Sequence, residues 1–149
     1  MRLNVCTTVS ESLPEVAARF DQRLFEHLSP PFPSVRIVRY DGGQPGDEVH
    51  LELSFLLFRQ PWVSRITTAE TTADEVCFVD EGIELPFFLG RWRHRHRMLA
   101  LSGRRAAIVD EIEFEAPVRW LTPLLAPVLL GQFLARRPGY RSYYDGRSH

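Results

Sequence analysis

The segment Arg91-Trp92-Arg93-His94-Arg95-His96-Arg97-Met98 alternates without a break: Trp92, His94, His96 and Met98 hold one parity and four arginines the other. Successive side chains of a β-strand point to opposite faces, whereas a helix would scatter both sets around its circumference. The segment therefore predicts a strand with an aromatic, imidazole and thioether row inside and a guanidinium row outside. A second stretch, 105–115, answers it, with Ile108, Asp110, Ile112 and Phe114 on one parity and Glu111, Glu113 and Glu115 on the other. Ser102-Gly103-Arg104 supplies the hairpin turn between them. Any antiparallel register that keeps the histidine row beside Ile108 to Phe114 also sets arginines 91–97 opposite glutamates 111–115. Each exposed pair contributes well under about 1 kcal/mol, so the ladder acts mainly on register.

The preceding chain reads as a series of shorter elements. Residues 2–9 alternate Leu3, Val5 and Thr7 against Arg2, Asn4 and Cys6 and predict a first strand. From Ser12 the period lengthens. Ser12 and Glu15 have capping-box spacing, Pro14 stands early in the first turn, and Val16, Ala17, Phe20, Leu24 and Phe25 recur at helical intervals. One or two short helices are expected, ending by Leu28, because Ser29-Pro30-Pro31-Phe32-Pro33 cannot continue a helix. Further strands are expected over 34–40, 48–57, 61–71 and 75–80, with turn chemistry in Asp41-Gly42-Gly43-Gln44-Pro45-Gly46-Asp47. After Pro117, Leu121, Leu124, Leu125, Val128, Leu129 and Phe133 recur at steps of three and four. They predict an apolar helix buried lengthwise, bent at Pro127 and kinked or ended at Pro138-Gly139.

Composition removes several classes of function. With 149 residues, 44% apolar and 25% charged, the chain fits one domain over 1–149. The net charge of -1, with basic residues interspersed rather than in runs, argues against nucleic acid as a partner. All 18 basic residues are arginine, which excludes Schiff-base lysine chemistry. No apolar run approaches the roughly 20 residues of a helical bilayer span. The N-terminus turns polar by Thr7 and lacks a signal-peptide core, so a cytoplasmic location is expected. Cys6 and Cys77 show neither metal nor redox spacing and are expected to be buried free thiols.

Strand, short helices, six antiparallel strands and a closing helix is the order of an α+β helix-grip fold: a curved sheet of about seven strands wrapped around a long C-terminal helix. Phe78-x-Asp80, the Pro86-Phe87 loop, Trp92-x-His94-x-His96, Val109-Asp110-Glu111 and the closing apolar helix resemble the SRPBCC superfamily, also called START-like. The resemblance covers nearly the whole chain. It implies a hydrophobic cavity between sheet and helix, as in polyketide cyclase/dehydrase-like proteins and lipid carriers. The sequence departs from the more familiar subgroup pattern in two places. Leu85-Pro86-Phe87 stands where that pattern has Gly-Pro-Phe, and the helix runs into Arg136-Arg137-Pro138 rather than a histidine-containing end.

Candidate chemistry centres on His94 and His96, which project from one strand face roughly 6.5–7 Å apart at the backbone, and on Asp110 on the same face of the neighbouring strand. These three are candidate acid/base groups, candidate anchors for a ligand oxygen, or a structurally satisfied polar cluster. His-x-His with Asp110 or Asp80 as a third ligand is a weak metal signal, so no metal and no cofactor is assigned. Phe55, Trp62, Phe78 and Trp92 from the sheet, with Leu125, Leu129 and Phe133 from the helix, are expected to line or fill the cavity. Phe87, Phe88 and Leu89 form core, a lid, or a transient contact with a membrane surface. The leading expectation is a carrier of a lipid, quinone or polyketide-like molecule. A cyclase/dehydratase-like enzyme using His94, His96 and Asp110 and a protein-interaction module with a filled core are the alternatives.

Overall fold

The computed structural model describes residues 1–145. Its strands are β1 (Arg2–Val9), β2 (Ser34–Tyr40), β3 (Glu48–Ser54), β4 (Arg59–Thr71), β5 (Glu75–Glu84), β6 (Arg91–Leu101) and β7 (Arg105–Glu115). They form one antiparallel sheet in the order β1-β7-β6-β5-β4-β3-β2. Hairpins join β2 through β7 in sequence, while β1 pairs with β7, so β1 and β2 lie at opposite edges. The helices α1 (Leu13–Ala18) and α2 (Gln22–Leu28) carry the chain between those edges. Register shifts at Ile37/Arg39, Val63/Ser64 and Ile66/Thr68 mark β-bulges, which bend strands and help the sheet curl.

The β6–β7 register follows the alternation in the sequence: Arg91 faces Glu115, Arg93 faces Glu113 and Arg95 faces Glu111, while His94 faces Ile112 and His96 faces Asp110. Trp92, His94, His96 and Met98 are buried, and the arginine row covers the outer face. Arg97 departs from the one-to-one ladder: it stands opposite Val109, donates to Glu75 of β5 at 2.6 Å and also reaches Glu111 at 3.5 Å. Gly103, at φ +72°, makes the turn.

The helical segments depart from expectation in three ways. Ser12 precedes α1 but makes no side-chain cap; Asp21 caps α2 instead, its carboxylate accepting from the Leu24 backbone N–H at 3.2 Å. The C-terminal helix breaks at Ala135, between α3 (Thr122–Leu134) and α4 (Arg136–Asp145), rather than at Pro138-Gly139. A helical proline clashes with the carbonyl four residues earlier, which for Pro138 is that of Leu134. Pro138 itself then sits in the first turn of α4, where its missing N–H is no loss. Nor is α3 buried lengthwise. Leu129 and Phe133 pack on the sheet, but Leu124 is 67% and Val128 58% exposed.

Two core clusters flank the middle of the sheet. One gathers Val9, Val16, Leu24, Leu28, Met98, Ile108, Tyr140 and Tyr144 beneath α1, α2 and α4. The other gathers Val5, Leu89, Trp92, Ile112, Phe114, Leu129 and Phe133 beneath α3. Leu89 is only 4% exposed and belongs to the core, which removes it from any surface patch. Cys77 is buried but Cys6 is exposed, because Cys6 has the parity opposite to the inward Val5 and Thr7. Both are free thiols. Among the described residues, no helix is long and apolar enough to cross a membrane.

Candidate functional site: a cavity with a polar floor

Between α3 and the concave face of the sheet lies a cavity of about 480 Å³. Its volume falls in the usual range for small-molecule pockets, and the space is not filled by side chains. Trp62 from β4, Phe78 from β5, and Trp92, His94 and His96 from β6 face it. Leu125, Leu129 and Phe133 of α3 cover it, and Phe55, Phe87 and Phe88 contribute from loops. Asp110, expected on the same wall, does not line it. It is completely buried behind His94, and Asp80 of β5 faces the cavity in its place.

The polar groups cross over one another. In the strand register His94 stands opposite Asp80 and His96 opposite Asp110. The hydrogen bonds run along the other diagonals: His94 Nε2 to Asp110 Oδ1 at 2.9 Å and His96 Nε2 to Asp80 Oδ2 at 2.5 Å. The two imidazoles consequently stack, with ring centroids 3.6 Å apart. Phe78 stacks on the other side of His96 at 4.4 Å, and the edge of Phe133 meets His94 at 5.3 Å. Trp92 Nε1 donates to Asp80 Oδ1 at 3.2 Å, and the Tyr140 hydroxyl donates to Asp110 Oδ2 at 3.2 Å.

Burial alone would raise both carboxyl pKa values. For Asp110 the His94 hydrogen bond and neighbouring positive charge outweigh burial; for Asp80 the bonds from His96 and Trp92 do so, leaving both below the usual carboxylate value. Burial and the adjacent His94 push the His96 imidazole down, further than Asp80 can raise it. His96 is therefore a neutral ring at neutral pH that donates from Nε2 to an ionised Asp80. Its Nδ1 is buried and has no partner. Burial and the Asp110 charge push the Tyr140 hydroxyl well above its ordinary value, so it remains a donor.

Sequence reasoning named Asp80 only as an alternative third metal ligand and passed over two other features of this site. Asp80 has the parity of Phe78, which was enough to turn it inward had the two been read as one strand face. Tyr140 and Tyr144 are four apart, the spacing of one helix face, and both are fully buried. Arg136 lines the cavity with its guanidinium 4.4 Å from the Phe133 ring centroid, at the helix break that the sequence did not place.

The mouth is aromatic. Phe55 stacks on Phe58 at 4.9 Å, and Phe32, Phe87 and Phe88 lie around it at 6.0, 5.8 and 6.4 Å. Beside them the β3–β4 loop projects Leu56 and Leu57, 90% and 94% exposed. The expected patch of Phe87, Phe88 and Leu89 is thus redrawn around Leu56, Leu57, Phe58 and Phe87. The stretch 48–57 read as one continuous strand, which hid this loop; β3 ends at Ser54.

No family model matches the sequence, and no curated protein is similar to it in sequence. Solved structures do match in shape. A START superfamily protein from Mycobacterium smegmatis has a TM-score of 0.74 at 9% identity, covering 97% of this chain and 97% of that one. The Zhui aromatase/cyclase from a Streptomyces strain has a TM-score of 0.67 at 16% identity, covering 97% and 93%. Norcoclaurine synthase from Thalictrum flavum, crystallised with dopamine and hydroxybenzaldehyde, has a TM-score of 0.70 at 10% identity, covering 100% and 88%. The chain has the START-like helix-grip fold: a curled antiparallel sheet of seven strands around a long C-terminal helical segment.

Proposed function

We propose that the protein binds and carries a predominantly apolar small molecule of the lipid, quinone or polyketide-like class, its polar end directed at His94 and His96. The observation that carries this reading is the cavity of about 480 Å³, walled mainly by aromatic and aliphatic side chains, with Asp80, His94 and His96 on its sheet wall. Native mass spectrometry of gently purified protein, followed by organic extraction, is expected to reveal a stoichiometric apolar molecule. A fluorescent fatty-acid or quinone analogue should bind the parent, and Phe133→Arg should abolish that binding. A parent that remains folded yet binds neither class would sink the reading.

The mouth supports a route for such a cargo. Leu56, Leu57, Phe58 and Phe87 form an apolar rim, with Arg59 adjacent to it, and would dip into a bilayer surface while the cavity loads. Leu56→Asp/Leu57→Asp should lose partition onto vesicles containing anionic lipid while keeping ligand affinity.

A second reading is favoured by the two histidine–carboxylate pairs, of which His94, His96 and Asp80 face the cavity and Asp110 lies behind His94: acid/base chemistry on a bound polyketide-like ring, with the histidines and aspartates exchanging protons. It predicts turnover with a pH dependence lost in His94→Ala and His96→Ala. Parent-rate turnover of a confirmed substrate by both variants would eliminate it.

A further inference from the structure

We infer that Asp80, His94 and His96 form a binding site for one divalent first-row transition-metal ion, with a coordination position open to the cavity. A carboxylate oxygen of Asp80 and one ring nitrogen from each histidine lie within 4.8 Å of one another, at the cavity wall. Two imidazoles and a carboxylate are the donor set that zinc, ferrous iron and cobalt accept, at about 2.0–2.2 Å from each atom.

Three features of the surroundings favour a cation over a purely structural cluster. First, the Asp110 carboxylate holds His94 Nε2 at 2.9 Å, which turns the other ring nitrogen, Nδ1, toward Asp80. That Nδ1 faces Asp80 Oδ2 at 3.9 Å, too far for a hydrogen bond. Two atoms of metal-ligand type thus face each other across a gap of the size a metal ion spans. Second, the groups behind the donors are those that hold metal ligands in place. Asp110 fixes the tautomer and orientation of His94 and is itself anchored by Tyr140, while Trp92 Nε1 fixes the second oxygen of Asp80. Third, the stacking of the rings, 3.6 Å apart, brings two nitrogen donors to the same carboxylate from adjacent positions of one strand face. The ion takes the place of the proton between His96 Nε2 and Asp80 Oδ2, and that proton moves to the unpartnered Nδ1 of the same ring, which stays neutral. With three protein donors, the remaining position turns to the cavity and accepts water or an oxygen of its ligand. The site stands whether or not the cavity carries a lipid.

The test uses the full chain, stripped with chelator and titrated with Co(II) and Zn(II). One equivalent of Co(II) should give visible d–d absorption and be displaced by Zn(II). His94→Ala/His96→Ala should remove it, with native near-ultraviolet circular dichroism confirming the fold. Asp110→Asn, which deletes no donor, should weaken affinity about 10–100-fold. X-ray absorption at the cobalt edge of the parent keeps the inference testable should those variants misfold: imidazole nitrogen and oxygen neighbours support it. A sulfur neighbour, Co(II) binding undiminished in a folded double variant, or no absorption change in the parent each overturns it.

Discussion

The two faces of β6 hold ion pairs built from neighbouring residues of one strand, and water separates their fates. Outside, Arg93 and Arg95 reach Glu113 and Glu111 at 3.9 and 3.6 Å, with arginine side chains 38% and 41% exposed. Inside, His94 meets Asp110 at 2.9 Å with side chains 4% and 1% exposed. Solvent screens the outer charges and can replace either partner, so the row sets register and little else. The inner groups have no solvent to fall back on, and each depends on the one behind it. One alternating sequence thus encodes a tolerant face and an intolerant one.

The largest separation between the faces should come from Asp110→Ala. It strands the His94 N–H and the Tyr140 hydroxyl in an apolar interior, with an expected loss of about 3–5 kcal/mol in denaturant unfolding. Acid should come next, measured on metal-free protein. His96 has a folded pKa below its ordinary 6.5, so the unfolded chain takes up that proton first. Its contribution is therefore complete at higher pH and declines as pH falls below about 6.5, at no more than about 1.4 kcal/mol per pH unit for the single proton. Asp80 and Asp110, with folded pKa values below 3.8, add a second loss as pH falls below that value and through their lower folded pKa values. A stability profile flat from pH 7 to the onset of carboxylate protonation would contradict the assignment of His96 as neutral. Tyr140→Phe should cost about 1–2 kcal/mol, since it removes one donor but leaves Asp110 bonded to His94. Glu113→Gln on the outer face should cost less than about 1 kcal/mol, and 1 M salt should erase even that; a loss of several kcal/mol would mean the faces are assigned backwards.

The alternation of β6 and β7 was sufficient to read the sheet, its faces and its register, because a one-residue slip would bury the arginines. The order of elements was sufficient for the helix-grip fold. What escaped the sequence depends on contacts between distant segments. Nothing local in Asp80 says that it will bond the histidine diagonal to it, and nothing local in Tyr140 says that α4 will deliver it to β7. The break at Ala135 was displaced from Pro138 because proline acts on the carbonyl four residues before it. Leu89 and Leu57 are both apolar residues in apolar loops, yet one is core and the other almost wholly exposed. Only the path of each loop separates them.

The crossed diagonals of the polar wall also have a kinetic consequence. Asp80, His94, His96 and Asp110 sew three consecutive strands, β5, β6 and β7, into one unit, and Tyr140 ties α4 to it. The strands β2 and β3 wall the same cavity with Val35, Ile37, Val49, Leu51 and Leu53 but are joined through side chains by solvent-exposed pairs such as Arg36–Glu52 rather than by a buried network, and β2 is an edge. Amide hydrogen exchange should therefore be slowest along β6 and fastest along β2. Under the proposed carrier function, a molecule too large for the resting cavity would enter by breathing of the β2–β3 margin, while the polar wall stays in register.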